Sequence, residues 1–250
     1  MKHSNSSIQA YKSCRRMYEL KYRYGVEPVQ KAEALERGLN YHAKVEQLLK
    51  TGDFDHDEEK TTAMAEAFRD YILPNIPQVA TEEWFEWSFA DGEQLVGRVD
   101  ARTIDGAIVE HKTTSGEIDE EYWYQKQYDE QLMTYMLAYD TNRAIYTVCR
   151  TPLLRQKQNE SGEEYVARCR AWYDEDTERK IATREIVIPQ EQLDEFKIML
   201  AQTIGEMERC TLFYRNQAYC THWGRMCEYA PICQHYDPEQ TYIEFRRRGE

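Results

Sequence analysis

Two runs in the middle of the chain, Gly97-Arg98-Val99-Asp100 and Ile108-Val109-Glu110-His111-Lys112, place two carboxylates and an ammonium close together. Both are rich in β-forming residues, and between them lies Ile104-Asp105-Gly106, whose Asp-Gly pair is a strong hairpin signal. The spacing predicts adjacent strands over Gln94–Thr103 and Ala107–Thr113. In a strand, residues two apart share a face, so Glu110 and Lys112 project together while the His111 side chain points away. A converging Asp and Glu form an oxygen site suited to Mg²⁺ or Mn²⁺. Such a cation polarises a phosphoryl oxygen and lowers the pKa of a bound water, and a neighbouring lysine can orient that water or stabilise developing charge. The bland alternative is an exposed hairpin decorated with carboxylates, one of them paired with Lys112. Val99, Ile108 and Val109 argue that the hairpin is at least half buried, where ionisable groups are costly.

Two helices offer further groups. His42 and Glu46 stand four apart on one helical face, preceded by Glu36, Arg37 and Gly38. Gln131 and Tyr135 stand four apart on another. Read singly, these are an exposed helical histidine and a polar residue beside a core tyrosine. Seven cysteines, an odd number, disfavour a disulfide framework, and Cys220, Cys227 and Cys233 lie within a short C-terminal segment. Cys14 stands far from them, and Cys149, Cys169 and Cys210 are expected to be inert thiols.

The elements that must position these groups follow from periodicity. A helix is expected over Ser6–Tyr24, capped by Ser6 or Ser7, then helices over Ala32–Leu49 and Glu58–Leu73. Thr81–Phe89 reads as a strand ahead of the hairpin. A single long helix is expected over Glu117–Tyr139, then strand Ala144–Cys149, helix Gly162–Thr177, strand Thr183–Ile188, and a helix from Pro189 to about Met207. This is an α/β layout around a mixed sheet. The chain is read as one domain, 1–250, with a helical arch or insertion over 32–78, the sheet and helix that carry the chemistry over 81–150, and a cysteine segment over 210–236.

Composition limits the partners. The 250 residues carry 32 Lys and Arg against 45 Asp and Glu, net -13, the wrong sign for gripping a polyanion by charge alone. Basic clusters exist locally, at Lys12, Arg15, Arg16, Lys21 and Arg23, at Arg150, Arg155 and Lys157, and at Arg246 to Arg248, and screening makes local charge the relevant quantity. No apolar run approaches the roughly 18 residues that span a bilayer, so the chain is read as soluble and cytoplasmic, with no membrane partner.

Taken together and in order, Arg37-Gly38-x-x-x-His42, Gly97-x-x-Asp100, Glu110-x-Lys112 and Gln131-x-x-x-Tyr135 resemble the RecB-type motifs of the PD-(D/E)XK nuclease superfamily. The resemblance implies a restriction-endonuclease-like core, a central mixed β-sheet flanked by helices. It implies that His42, Asp100, Glu110 and the His111 backbone carbonyl hold the metal, that Lys112 activates water, and that Gln131 and Tyr135 support the active site and DNA. Cys14 with Cys220, Cys227 and Cys233 resembles the iron–sulfur nucleases of the AddB and CRISPR-associated RecB-like type, which implies a 4Fe-4S cluster on a C-terminal segment that closes onto an N-terminal helical region. Six residues separate Cys220 from Cys227 where two are common, and Arg15 stands where proline is common. A structural zinc, with four cysteines or with His222 or His235 substituting, stays open, as do plain reduced thiols.

The expected activity is a metal-dependent DNA exonuclease, in recombination, repair or phage replication, with a single-strand annealing or recombination protein as partner. A CRISPR-associated spacer-processing nuclease and a non-catalytic DNA-binding module of the same fold are the alternatives. No G-x-x-x-x-G-K-[ST] motif occurs, so no helicase activity is implied. Trp84, Trp87, Trp123 and Tyr124 are candidates for base stacking, with Trp84 read as core.

Overall fold

The computed structural model describes residues 2–29, 32–77, 79–89, 92–222, 225–234 and 245–248. Strand β1 (Lys2–His3) leads into helices α1 (Asn5–Ser13) and α2 (Arg15–Tyr18), a π turn over Glu19–Arg23, and β2 (Val26–Pro28). Helices α3 (Glu33–Thr51) and α4 (Glu59–Ala67) follow, the latter running on through a π turn to Ile72. Next come β3 (Val79–Phe89), β4 (Glu93–Thr103), β5 (Ile108–Thr114), α5 (Glu120–Lys126), α6 (Glu130–Ala138) and β6 (Arg143–Arg150). The chain finishes through α7 (Gly162–Glu175), α8 (Thr177–Lys180), β7 (Ile181–Val187), α9 (Gln190–Arg209), α10 (Gln217–Cys220), β8 (Thr221–His222), β9 (Arg225–Met226), α11 (Ala230–Gln234) and β10 (Phe245–Arg247).

Two helical expectations are corrected. The stretch expected as one helix over Ser6–Tyr24 is capped by Ser4, whose hydroxyl accepts from the Ser7 N–H, and it breaks at Cys14, which is extended (φ -158°, ψ 113°). The apolar stripe runs across the break, which is why periodicity alone hides it. The helix expected over Glu117–Tyr139 is two helices. Asp129 is extended and its carboxylate accepts from the Gln131 and Leu132 N–H groups, so it starts a new helix instead of continuing the old one.

The chain divides into two compact units, one of residues 1–32, 87–96 and 198–250, the other of residues 33–86 and 97–197. In the larger unit, β4, β5, β6 and β7 lie in that order with β3 beside β4. Strand β5 is antiparallel to β4 and parallel to β6, and β7 is antiparallel to β6, so the sheet is mixed as expected. The parallel step needs a crossover, which α5 and α6 supply. Helices α3 and α4 bury Tyr41, Val45, Leu48, Met64 and Phe68 together with Cys149 of β6, Tyr173 of α7 and Ile181 of β7. The Cys149 thiol meets the Tyr173 hydroxyl at 3.2 Å, so this cysteine is a core group, as expected. An α/β arrangement with a mixed sheet flanked by helices fits a restriction-endonuclease-like fold.

In the smaller unit, β1 pairs in parallel with Gln94 and Leu95, β10 pairs with β2, and β8 with β9. Leu20, Tyr229, Ile232 and Phe245 form its apolar cluster, with Met17, Val26, Cys227 and Cys233 packed against it. Among the described residues, no helix is long and apolar enough to cross a membrane.

Candidate active site

Strand β5 is the axis of the site. The β4–β5 ladder pairs Arg102 with Ile108 and Ala101 with Val109. Past that point the His111 N–H donates to Asp100 Oδ2 at 2.8 Å, so a side-chain carboxylate receives the main-chain donor. The other oxygen, Asp100 Oδ1, lies 3.2 Å from His42 Nδ1 on α3. An ionised carboxylate only accepts, so this ring nitrogen carries the proton.

Glu110, 3% exposed, binds the Lys112 ammonium, and Lys112 Nζ also donates to Gln131 Oε1 at 2.7 Å. The Gln131 amide nitrogen donates in turn to the Tyr135 hydroxyl at 2.7 Å. A continuous polar chain therefore runs Glu110–Lys112–Gln131–Tyr135 across β5 and α6. The two-residue spacing on the strand and the four-residue spacing on the helix bring these groups to one face.

Charges in the site work against burial. Burial alone would raise the Asp100 pKa, but the His42 hydrogen bond and charge hold it down to about 2. Burial pushes Glu110 up to about 7, opposed by Lys112 and reinforced by Asp100. Burial disfavours a charged Lys112, yet the Glu110 carboxylate outweighs it and the pKa lies above the ordinary lysine value. His42 is likewise raised, the Asp100 contact overriding its burial.

The structure brings His42, Asp100, Glu110, Lys112, Gln131 and Tyr135 together. The His111 ring points the other way: Nδ1 lies 2.7 Å from Thr147 Oγ1 on β6, and the ring packs edge-on to Phe68 with centroids 5.1 Å apart. Glu46 does not join the site and pairs with Lys50, while Arg37 pairs with Glu33. Trp84, expected in the core, is 75% exposed; it alternates on β3 with the inward Phe85, so its ring faces out, where Arg98 stacks on it at 5.8 Å.

Three residues were not singled out from the sequence. Asp129 sets the start of α6 and hence the reach of Gln131; the Asp-Glu-Gln run is an N-cap signal that would have found it. Thr147 fixes the His111 ring. Phe85 packs edge-on to Tyr135 with centroids 5.7 Å apart, and it needs Gly97, where a Cβ would stand 2.6 Å from the ring.

In the smaller unit, Cys14, Cys220, Cys227 and Cys233 all line one small cavity, with Met17, Arg215, Tyr219 and Tyr229. The extended backbone at Cys14 turns its thiol toward residue 216, whose N–H lies 3.4 Å from Sγ. Burial raises the pKa values of Cys227 and Cys233, and the nearby Cys14 adds to both. Cys210 lies apart, half-buried, with its thiol on the Leu212 carbonyl at 3.4 Å, and Cys169 is buried. His235 is outside the described residues.

Among the described residues, no three His, Cys, Asp or Glu side chains form a ready cage for a single ion. The donor types nevertheless fit. Asp100 and Glu110 offer hard oxygens, and Asp100 is held anionic by its donors, as a ligand to a divalent cation must be. The four thiols line one cavity, and four thiolates are the usual complement for an iron–sulfur cluster.

A family model described as the PD-(D/E)XK nuclease superfamily matches residues 58–234. Among solved structures, SSO0001 is 16% identical, with 93% of this chain and 86% of that chain covered and a TM-score of 0.48. A phage related exonuclease from Haemophilus somnus 129PT is 18% identical, with 76% and 94% covered and a TM-score of 0.37. An alkaline exonuclease (LHK-Exo) from Laribacter hongkongensis is 11% identical, with 83% and 88% covered and a TM-score of 0.38. No curated protein matches the sequence.

Proposed function

This chain belongs to the PD-(D/E)XK nuclease superfamily, and we propose that it is a divalent-metal-dependent deoxyribonuclease that hydrolyses phosphodiester bonds at DNA ends, in recombination, repair or phage replication. The observation that carries this reading is the convergence of Asp100, Glu110 and Lys112, with His42 closing one side and Gln131 the other.

In this reading Asp100, Glu110, His42 and the His111 carbonyl would hold Mg²⁺ or Mn²⁺. When bound, the cation supplies Lewis-acid polarisation of the scissile phosphate and lowers the pKa of water. The protein does the rest. Asp100 stays anionic because His42 and the His111 N–H both donate to it. Lys112 is held protonated by Glu110, so it acts as a fixed donor and not as a base. It orients the attacking water and stabilises charge that accumulates on the phosphoryl oxygens. Gln131 fixes the direction of that ammonium, and Tyr135 fixes Gln131. The water oxygen bonds to phosphorus as the P–O bond to the departing sugar oxygen breaks; the water gives up its proton to solvent and the departing oxygen takes one from solvent.

Cys14, Cys220, Cys227 and Cys233 would hold a 4Fe-4S cluster. When bound it supplies a cross-link that closes a loop of about two hundred residues, a contribution to folding and not to hydrolysis. Anaerobic purification with iron and sulfide analysis tests this; a colourless protein carrying zinc sinks it.

The decisive experiment is digestion of end-labelled single- and double-stranded DNA with Mg²⁺ or Mn²⁺. Wild type is expected to degrade at least one of them, and Glu110→Ala and Lys112→Ala to lose on the order of 10²-fold or more in rate, as for loss of a preorganised charge-stabilising group. If wild type degrades nothing with either metal, the chain is a DNA-binding module that keeps the fold.

A further inference from the structure

Helix α5 carries its aromatic residues on two faces. Trp123 faces inward, buried with Ile118 and packed edge-on to Tyr146 of β6, while Arg184 of β7 stacks on its other side at 4.6 Å and pairs with Glu120. These contacts fix the helix to the sheet. Outward, Tyr124 of the helix is 61% exposed and Tyr128, in the turn that follows, 56%, their rings edge-on with centroids 5.5 Å apart. Lys126, at the end of the helix, lays its ammonium over the Tyr122 ring at 4.6 Å and 5.8 Å from the ring of Tyr146. The turn that follows is tight: the Asp129 N–H bonds the Lys126 carbonyl at 3.3 Å, and Asp129 caps the helix whose Gln131 holds Lys112. Two exposed rings in edge-on contact thus stand on this stretch, Tyr128 three residues before the site residue Gln131.

We propose that Tyr124 and Tyr128 form a stacking platform for an unpaired base of the strand being cut, and that Lys126, on the neighbouring Tyr122 side of the helix, holds a phosphate of the same strand. This rests on the reading of Asp100, Glu110 and Lys112 as the cleavage site, and it names the form in which the strand reaches that site. An exposed ring stacks on a base only if the base has a free face, which an interior base of a duplex lacks. Charge explains why such a device is needed. The unit that contains the site has 19 Lys and Arg against 34 Asp and Glu, so at a distance it repels a polyanion. Stacking does not depend on net charge, and it supplies grip where long-range attraction is missing. The two rings brace one another edge-on.

Binding of a fluorescent single-stranded oligonucleotide, measured by anisotropy in EDTA so that nothing is cut, tests the platform apart from hydrolysis. The Tyr124→Ala/Tyr128→Ala double variant is expected to bind on the order of ten- to a hundred-fold more weakly, while Tyr124→Phe/Tyr128→Phe, which keeps both rings, binds as wild type does. Lys126→Ala is expected to reduce the steepness of the salt dependence by about one phosphate contact. A 2-aminopurine in the strand provides a second readout, its emission quenched by wild type and not by the double alanine variant. Unchanged affinity in the double alanine variant, or no single-strand binding by wild type, overturns the platform. A wild type that binds the oligonucleotide and shows these effects but digests no DNA with Mg²⁺ or Mn²⁺ would overturn the nuclease reading instead.

Discussion

The ring of Phe85 lies against the bare Cα of Gly97, so close that a Cβ there would come within 2.6 Å of the ring. Phe85 also supports Tyr135 edge-on. Gly97 is therefore required by space on a strand, not by a turn, and its neighbour three residues on is Asp100.

Gly97→Ala is expected to push Phe85 and hence Tyr135 out of place. Overpacking of this kind costs about 1–3 kcal/mol, and the cleavage rate should fall with it. Chemical denaturation and a nuclease assay check both; a variant as stable and as active as wild type would show that the ring moves freely.

Gln131 stands between two buried donors and acceptors. Gln131→Leu leaves the Lys112 ammonium and the Tyr135 hydroxyl each short of a partner, at about 1–3 kcal/mol for such a loss. Stability should fall, and the loss in rate should exceed the loss in DNA affinity, because the ammonium is no longer aimed. Equal effects on rate and affinity would argue against an orienting role.

His111 gives a pH signature. Burial pushes its imidazole down to about 4 from an ordinary 6.5, so between those values the unfolded chain binds a proton that the folded chain refuses. Stability therefore rises with pH across this window, is complete above 6.5, and is lost toward 4, by roughly 3 kcal/mol. Glu110, raised to about 7, runs the opposite way between its ordinary value and 7. His111→Leu removes only the first contribution, so between pH 6.5 and 4 wild type should lose more stability than the variant. Parallel pH profiles of the melting temperature would refute this.

The thiol cavity predicts a coupled loss. Cys14→Ser should lower bound iron and the melting temperature together, with Cys149→Ser, in a different core, leaving iron content unchanged. Iron content that survives the Cys14 substitution would remove that thiol from the set.

Much of this was legible in the residue pattern. The alternation around Glu110 and Lys112 and the four-residue spacing of Gln131 and Tyr135 are local rules, and local rules survive folding; the same spacing from His42 to Glu46 did not carry Glu46 into the site. What the pattern hid depends on interruptions or on third dimensions. The break at Cys14 and the restart at Asp129 do not disturb the apolar stripe, so periodicity passes over them. Trp84 looked like core because tryptophan is apolar and its strand is aromatic throughout. Only pairing decides which face of a strand is covered, and here it covers Phe85. The clash that reserves position 97 for glycine arises from a residue on another strand.

Asp100 has a consequence for any scan of this site. Its carboxylate does a backbone's job as well as its own, receiving the amide that would otherwise hang unmet where β4 and β5 part. Truncating it to alanine would unzip the hairpin while removing a ligand, and the two injuries would be read as one. Asparagine keeps an acceptor for that amide and gives up only the charge. The pair of substitutions therefore separates a residue's structural debt from its chemical duty.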